Sequence, residues 1–376
     1  MHNPKDLRLG QSESVSLAPL TRDPSSQEMD QAIRDATFAV DTLDWLKSGD
    51  TVLIKPVLNS GKPYPATTSP LALVSMIRLL KAKGAGRVIV GDMSGVWHLD
   101  QRPEGCKGSS RKLAKSAGML NPVLDAGAEW VFFEEAGWDS FYEEQPAPGS
   151  HWKRGITLPN VLREVDHIVS MPRCSRHALL GNSLAIKSVV GYMRYDTRLE
   201  YHHDAKTIQE KTAEANTVPT LLQKQRLVVT AADKILATLG PDLGHVFAPQ
   251  QGLVIASQSM IAHDLVSLAW LLKHWRQAPW LHKQALTDPS SSKFVTNMAN
   301  RVLVATLGGW KQGFSAETME NSPLPNIWRD RTLIRACELM GGVPTVQLQP
   351  TQSSISPQLL AELSSMVALP AATRAA

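Results

Sequence analysis

Gly49-Asp50-Thr51-Val52-Leu53-Ile54-Lys55-Pro56 and, further along, Arg87-Val88-Ile89-Val90-Gly91-Asp92-Met93-Ser94-Gly95 decide the fold. Each is a short apolar run, rich in branched side chains and without polar alternation, which reads as a strand covered on both faces. Between them, Pro56 to Thr68 is a polar loop, and Ser69-Pro70 is a helix start with Ser as cap and Pro in the first turn. Leu73, Met76, Ile77 and Leu80 supply its buried face, Lys81 and Lys83 its last turn, and Gly84 its stop. Strand, helix and strand in this order predict parallel pairing through a right-handed crossover. The fold class expected is α/β, a mostly parallel sheet flanked by helices.

Working outward, Ile33, Ala36, Val40 and Leu43 predict a helix, as do the stretches Ser109 to Ala126, Leu179 to Val190, Val218 to Lys224 and Met260 to Leu272. Trp130 to Phe133, Val165 to Ser170, Leu227 to Thr230 and Gly252 to Ala256 predict strands. Residues 1–26 read as an irregular arm and 27–272 as the α/β core. Residues 273–376 read as a smaller C-terminal helical lobe and tail, tryptophan-rich through Trp275, Trp280, Trp310 and Trp328, with Trp270 just before it.

The chain has 376 residues, 43% apolar and 20% charged, a globular composition that needs no disulfide or metal to fold. Lys and Arg number 39 against 35 Asp and Glu, a net charge of +4 spread along the chain. That balance points to an anionic small molecule as partner and away from nucleic acid. Cys106, Cys174 and Cys337 are odd in number and contain no Cys-x-x-Cys, so no iron–sulfur cluster is expected in this chain and a reducing, cytoplasmic location is the default. Leu243 to Ala262 lacks formal charge, but its Gly, Pro and Gln content reads as loop and buried strand, so no membrane association is expected. The tryptophan-rich lobe is a candidate surface for a homo-oligomer or a protein partner.

Ligands of open parallel sheets bind outside the carboxyl ends of the strands. Four segments fall there. Lys55, Thr67, Thr68 and Ser69 place a cation, hydroxyls and free N–H groups where an anion would sit; the bland alternative is a simple cap. Gly91, Asp92, Ser94 and Gly95 form a tight Gly/Asp turn with room for a ribose hydroxyl or a metal. The block His177 to Gly191 encloses Ser183 and Lys187 among apolar neighbours, where a lysine loses basicity and becomes a nucleophile or an anchor. On one continuous helix, His177 and Lys187 would lie roughly 80° apart and line one cavity. Tyr201-His202-His203-Asp204 reads as a polar loop with metal or acid–base potential.

These segments, in this order, resemble the domain-of-unknown-function family 362. The motifs are Gly49 to Pro56, Thr68-Ser69-Pro70, Arg87 to Gly95, His177 to Gly191, and Val254 to Asp264. Departures are the absence of ferredoxin-type cysteines, Pro172-Arg173-Cys174-Ser175-Arg176-His177 in place of Lys-x-Lys-Thr-His, and Ser188 after the lysine in place of Asn. The order His177, Gly181, Ser183, Lys187, His203 also resembles, more remotely, the nickel-pincer lactate racemases, without their glycine pair before the lysine. That resemblance implies a lysine-held pyridinium mononucleotide and histidines serving metal binding and proton transfer.

The expectation for function is therefore a cleft for a phosphate-bearing or other anionic ligand, with isomerase or transferase action on a small acid. Lys187, His177 and His203 are the candidate catalytic residues, and His177 with His203 the candidate metal pair. Lys55, Thr67, Thr68, Gly91, Asp92, Ser94, Gly95 and Ser183 are the candidate cofactor-binding set, for a nucleotide-derived or metal-containing cofactor. The rivals are a non-catalytic assembly protein and a redox accessory protein without its own cluster.

Overall fold

Thr51–Pro56 is a strand whose side chains enter two different apolar layers: Val52 and Ile54 one, Leu53 the other. Arg87–Asp92 repeats this with Val88 and Val90 against Ile89. The continuous apolar runs are thus central strands with covered faces, as their pattern requires. The structure is a computed structural model and describes residues 7–204, 206–238, 240–279 and 324–370, together with 290, 294–295, 298–299, 301–302 and 305–306.

One eight-stranded sheet organises the chain. From edge to edge its strands are Val343–Pro350, Leu9–Leu20, Gly252–Ser257, Gln225–Ala231, His167–Met171, Thr51–Pro56, Arg87–Asp92 and Glu129–Phe132. Only Gly252–Ser257 runs against its neighbours; every other pairing in the sheet is parallel. One face is covered by helices Ser26–Phe38 and Pro70–Ala82, whose Ile33, Leu73, Met76 and Ile77 pack on Ile54, Val90 and Val229. Ser25 and Ser69 cap these helices, accepting from the N–H groups of Glu28 and Ala72. The other face is shared by helix Met260–Gln277, against Leu17, Leu253 and Ile255, and by the segments around Phe133, Leu158 and Tyr192. Among the described residues no helix is long and apolar enough to cross a membrane.

Several expectations are corrected. The irregular arm holds the strand Leu9–Leu20, which lies inside the sheet between two partners. Its serines, Gly10 and Pro19 mask a strand whose Val15, Leu17, Ala18 and Leu20 are buried. The C-terminal lobe is not purely helical, because Val343–Pro350 forms the sheet edge, parallel to Leu9–Leu20. Its alternation of Val346 and Leu348 with Thr345, Gln347 and Gln349 is a half-buried edge pattern. The helix expected over Ser109 to Ala126 is two, Ser110–Ser116 and Leu120–Asp125, interrupted at Gly118 with φ of +75°. Leu179 to Val190 is not helical throughout: Gly181–Ser183 pairs antiparallel with Ser175–His177, and a 3₁₀ turn spans Ile186–Gly191. Tyr201 to His203, expected as loop, ends the helix Tyr195–His203. Trp270 and Trp328 are buried and donate to the carbonyls of Ala232 and Ala368, so they fill the core. Trp280 and Trp310 lie outside the described residues.

Candidate functional site

The carboxyl ends of Thr51–Pro56 and Arg87–Asp92 bring Lys55 and Asp92 together. Lys55 is 1% exposed, and its Nζ lies 2.8 Å from Asp92 Oδ1, donates to Pro56 O at 2.7 Å, and sits 5.1 Å from the Tyr192 ring centre. Asp92 is held by the N–H groups of Leu58 at 2.6 Å and Met93 at 2.9 Å. Burial lowers the Lys55 pKa and Asp92 opposes that shift. Gly191 closes over the pair. A Cβ there would run into Asp92 Oδ1 and stand 2.5 Å from Lys55 Nζ, so any larger residue would have to displace the pair.

Beside this pair is a cavity of about 100 Å³. Its polar wall is Lys55, Asn59, Asp92, His177, Lys187, Arg198 and His202, with Trp97, Val190, Leu180 and Pro241 among the apolar members. The 3₁₀ turn Ile186–Gly191 carries Lys187 to it. That turn is anchored by Asp264, whose two carboxylate oxygens accept from Ala185 N at 2.9 Å and Ile186 N at 2.8 Å, and by Asn216, which donates to Ile186 O at 2.9 Å. Asp264 is itself bonded to His263 Nδ1 at 2.8 Å, and His263 Nε2 to Thr230 Oγ1 at 2.9 Å.

Among the described residues, nothing hydrogen-bonds or ion-pairs with the Lys187 ammonium. Burial, then the nearby Arg173 and Arg198 charges, lowers its pKa to about 7, with Asp92 opposing. Arg198 projects from helix Tyr195–His203 and is tied to backbone. Nε donates to Met193 O at 2.8 Å, Nη2 to Met93 O at 2.9 Å and Gly191 O at 3.0 Å, and Nη1 to Ser94 O. It therefore supplies a fixed positive field more than a free donor. Arg173 behaves alike, bonded to Ser183 Oγ, Ala66 O and Pro241 O.

The two cavity histidines have opposite tautomers. His177 Nδ1 accepts from the N–H groups of Leu179 at 3.3 Å and Leu180 at 3.4 Å, which places the proton of the neutral ring on Nε2. His202 Nδ1 faces the Arg198 carbonyl at 2.7 Å and must donate to it, which leaves Nε2 as an acceptor. Burial pushes the His177 pKa well below 6.5, helped by Lys187, and pushes His202 down to about 4. Both rings are neutral at pH 7. One offers an N–H donor and the other a lone pair.

Of the residues expected from sequence, Lys55, Asp92, Gly95, His177 and Lys187 line this cavity. Thr67, Thr68, Gly91, Ser94 and Ser183 are outside its wall. Thr67 donates to Lys62 O, and Thr68 bridges Met171 O and Val57 N. Ser183 accepts from Arg173. Ser94 contributes its carbonyl to Arg198, and the Gly91 Cα packs on Leu53 and Phe133. The hydroxyl cradle expected from Thr67 and Thr68 is consumed by loop structure. His203 is exposed and outside the wall; His202, its neighbour, takes the place expected for it. The expected metal pair is thus not brought together, and no group of three metal-ligating side chains occurs among the described residues. The cavity of roughly 100 Å³ is smaller than the several hundred Å³ typical of a nucleotide-sized ligand. Arg198 is absent from the sequence expectation, and His202 enters it only within the Tyr201 to Asp204 stretch, with His203 taken as the site residue. Their spacing of four residues on a helix is the signal that places both on one face.

Two solved structures are similar in part. One is a Thermotoga maritima protein from a structural genomics programme, at 11% identity and a TM-score of 0.42 over 68% of this chain. The other is the lactate racemase apoprotein from Thermoanaerobacterium thermosaccharolyticum, at 11% identity and a TM-score of 0.39 over 66% of this chain. The chain spans 59% and 55% of their lengths. No curated protein matches it. The profile of the family described as "Domain of unknown function (DUF362)" matches residues 52–269, which include every polar residue of the cavity wall, and the chain belongs to that family.

Proposed function

We propose that the cavity binds a small carboxylic acid and transfers a proton on it, an isomerase-type reaction. The observation that carries this is the unpartnered Lys187 amine on a wall where Lys55, Lys187 and Arg198 face one carboxylate, Asp92. An unpaired cation surplus in a buried wall is stabilised by a bound anion. A cavity of about 100 Å³ suits a ligand near the size of benzene or smaller, which a three- or four-carbon acid satisfies. His177 and His202 supply a neutral donor and a neutral acceptor to the same space, the pairing that proton removal and return require.

The test is titration of the full chain with a panel of short hydroxy- and oxo-acids, followed by NMR, with solvent deuterium exchange at the carbon next to the carboxylate as the activity readout. Saturable binding that is lost in Lys187→Ala, with exchange in the wild type, is expected. Equal affinity of wild type and Lys187→Ala for every acid overturns the reading.

A further inference from the structure

We propose that Lys187 condenses with the carbonyl of a small 2-oxo acid to form an imine. This names the substrate class for the site above and rests on that reading. The cavity wall contains two lysines. Lys55 is committed to Asp92 and Pro56 O, whereas Lys187 Nζ has no partner among the described residues. It is therefore the one amine on this wall without a partner among the described residues. Its lowered pKa, about 7, leaves a sizeable fraction of the amine unprotonated at neutral pH.

The surroundings suit both halves of a 2-oxo acid. The carboxylate enters the field of Lys55 and Arg198, which Asp92 only partly offsets. The carbonyl oxygen takes a hydrogen bond from the Nε2–H that the backbone bonds leave on His177. In the first step the Nζ lone pair forms the N–C bond and the C=O π pair moves to oxygen, which the His177 Nε2–H stabilises by its hydrogen bond. His202 Nε2 takes the proton lost from nitrogen and returns it to that oxygen, giving the neutral carbinolamine. In the second step the hydroxyl leaves as water with one proton taken from solvent, and the nitrogen lone pair forms C=N. The nitrogen of this iminium keeps one hydrogen and carries the positive charge. Amine, carbonyl and one solvent proton give iminium and water, with no change in oxidation state.

The same wall explains the size limit. Leu180 and Val190 leave room for a short chain only. Trp97, 49% exposed, stands where the cavity meets solvent.

The experiment is reductive trapping of the full chain with pyruvate and cyanoborohydride at pH 7, read by intact mass and peptide mapping. The expected product gains one pyruvic acid less one oxygen, on Lys187, at least about tenfold above any exposed lysine. Lys187→Arg abolishes it while thermal unfolding shows a folded chain. Acetone, which lacks the carboxylate, labels far less. In parallel, binding of lactate, which has no carbonyl, is followed by NMR. Lactate binding at the cavity without any pyruvate adduct on Lys187 sinks the imine and leaves the acid site standing. Absence of both sinks both. Labelling by acetone equal to that by pyruvate, or adducts spread evenly over surface lysines, overturns the proposed substrate class.

Discussion

Asp264 and Ile186 meet across the molecule: a carboxylate oxygen near the N-terminal end of helix Met260–Gln277 accepts the Ile186 N–H at 2.8 Å, one residue before Lys187. The other oxygen accepts Ala185 N–H at 2.9 Å. Both groups are buried, so removing the carboxylate leaves two N–H donors without water. Asp264→Ala is expected to cost about 3 kcal/mol in denaturant unfolding and to abolish acid binding. Asp264→Asn, which keeps one acceptor, is expected to recover part of each. Unfolding midpoints and the NMR titration check this.

Gly191→Ala places a methyl group against Asp92 and Lys55. Both partners are pinned by other bonds, so the clash does not relax by simple rotation. A loss of about 3 kcal/mol is expected, with weakened ligand binding even where the fold survives. Gly49→Ala is the contrast at a position where space is open but φ is +95°, so its cost arises from backbone strain alone.

Lys187→Met is expected to stabilise the chain at neutral pH while removing function. The Lys187 pKa in the folded state is about 7, against an ordinary 10.5. Below pH 7 both folded and unfolded chains hold this proton, and the folded chain bears the cost of a part-buried ammonium. As pH rises from 7 to 10.5 the folded chain releases it first, and the cost fades. The gain in Lys187→Met should therefore be roughly 2 kcal/mol or more below pH 7 and should shrink towards pH 10.5. Thermal unfolding across that range reads it, and a pH-independent gain would contradict it. Binding of an acid should follow the opposite course to the amine and weaken as pH rises through 7.

His202 contributes to the acid-side dependence, together with His177 and His274, whose pKa values burial also lowers. The His202 pKa is held down to about 4 in the fold, against 6.5. Between those values the unfolded chain takes the proton and the folded chain does not, so stability falls as pH drops from 6.5 to 4. His202→Gln is expected to flatten that fall by roughly 2 kcal/mol, as read by urea unfolding at pH 4.5 and 7. His203, exposed on the same helix, should behave like wild type when changed to Gln.

Much of the scaffold was legible because it is local. The runs Thr51 to Lys55 and Arg87 to Val90 and the Ser69-Pro70 cap are short-range signals, and they appear as read. The strand Leu9–Leu20 was not legible. Five of its twelve residues are polar, and it is held by pairing on both sides with segments distant in sequence. Leu179 to Val190 misled for a related reason. Its apolar content satisfies a helix, but Arg173, Asp264 and Asn216 tie its backbone and side chains into a hairpin and a turn.

By itself the sequence determined an α/β sheet and the carboxyl rim where Lys55, Asp92, His177 and Lys187 gather, because strand burial and helix caps depend on neighbours along the chain. Tertiary structure decided the chemistry of that rim. Which lysine is tied to a carboxylate, which histidine of an adjacent pair faces inward, and which ring nitrogen keeps its proton all follow from hydrogen bonds made by remote backbone. Burial beside other cations then sets the basicity of Lys187, and that environment exists only once the strands and the helix Tyr195–His203 have closed around it.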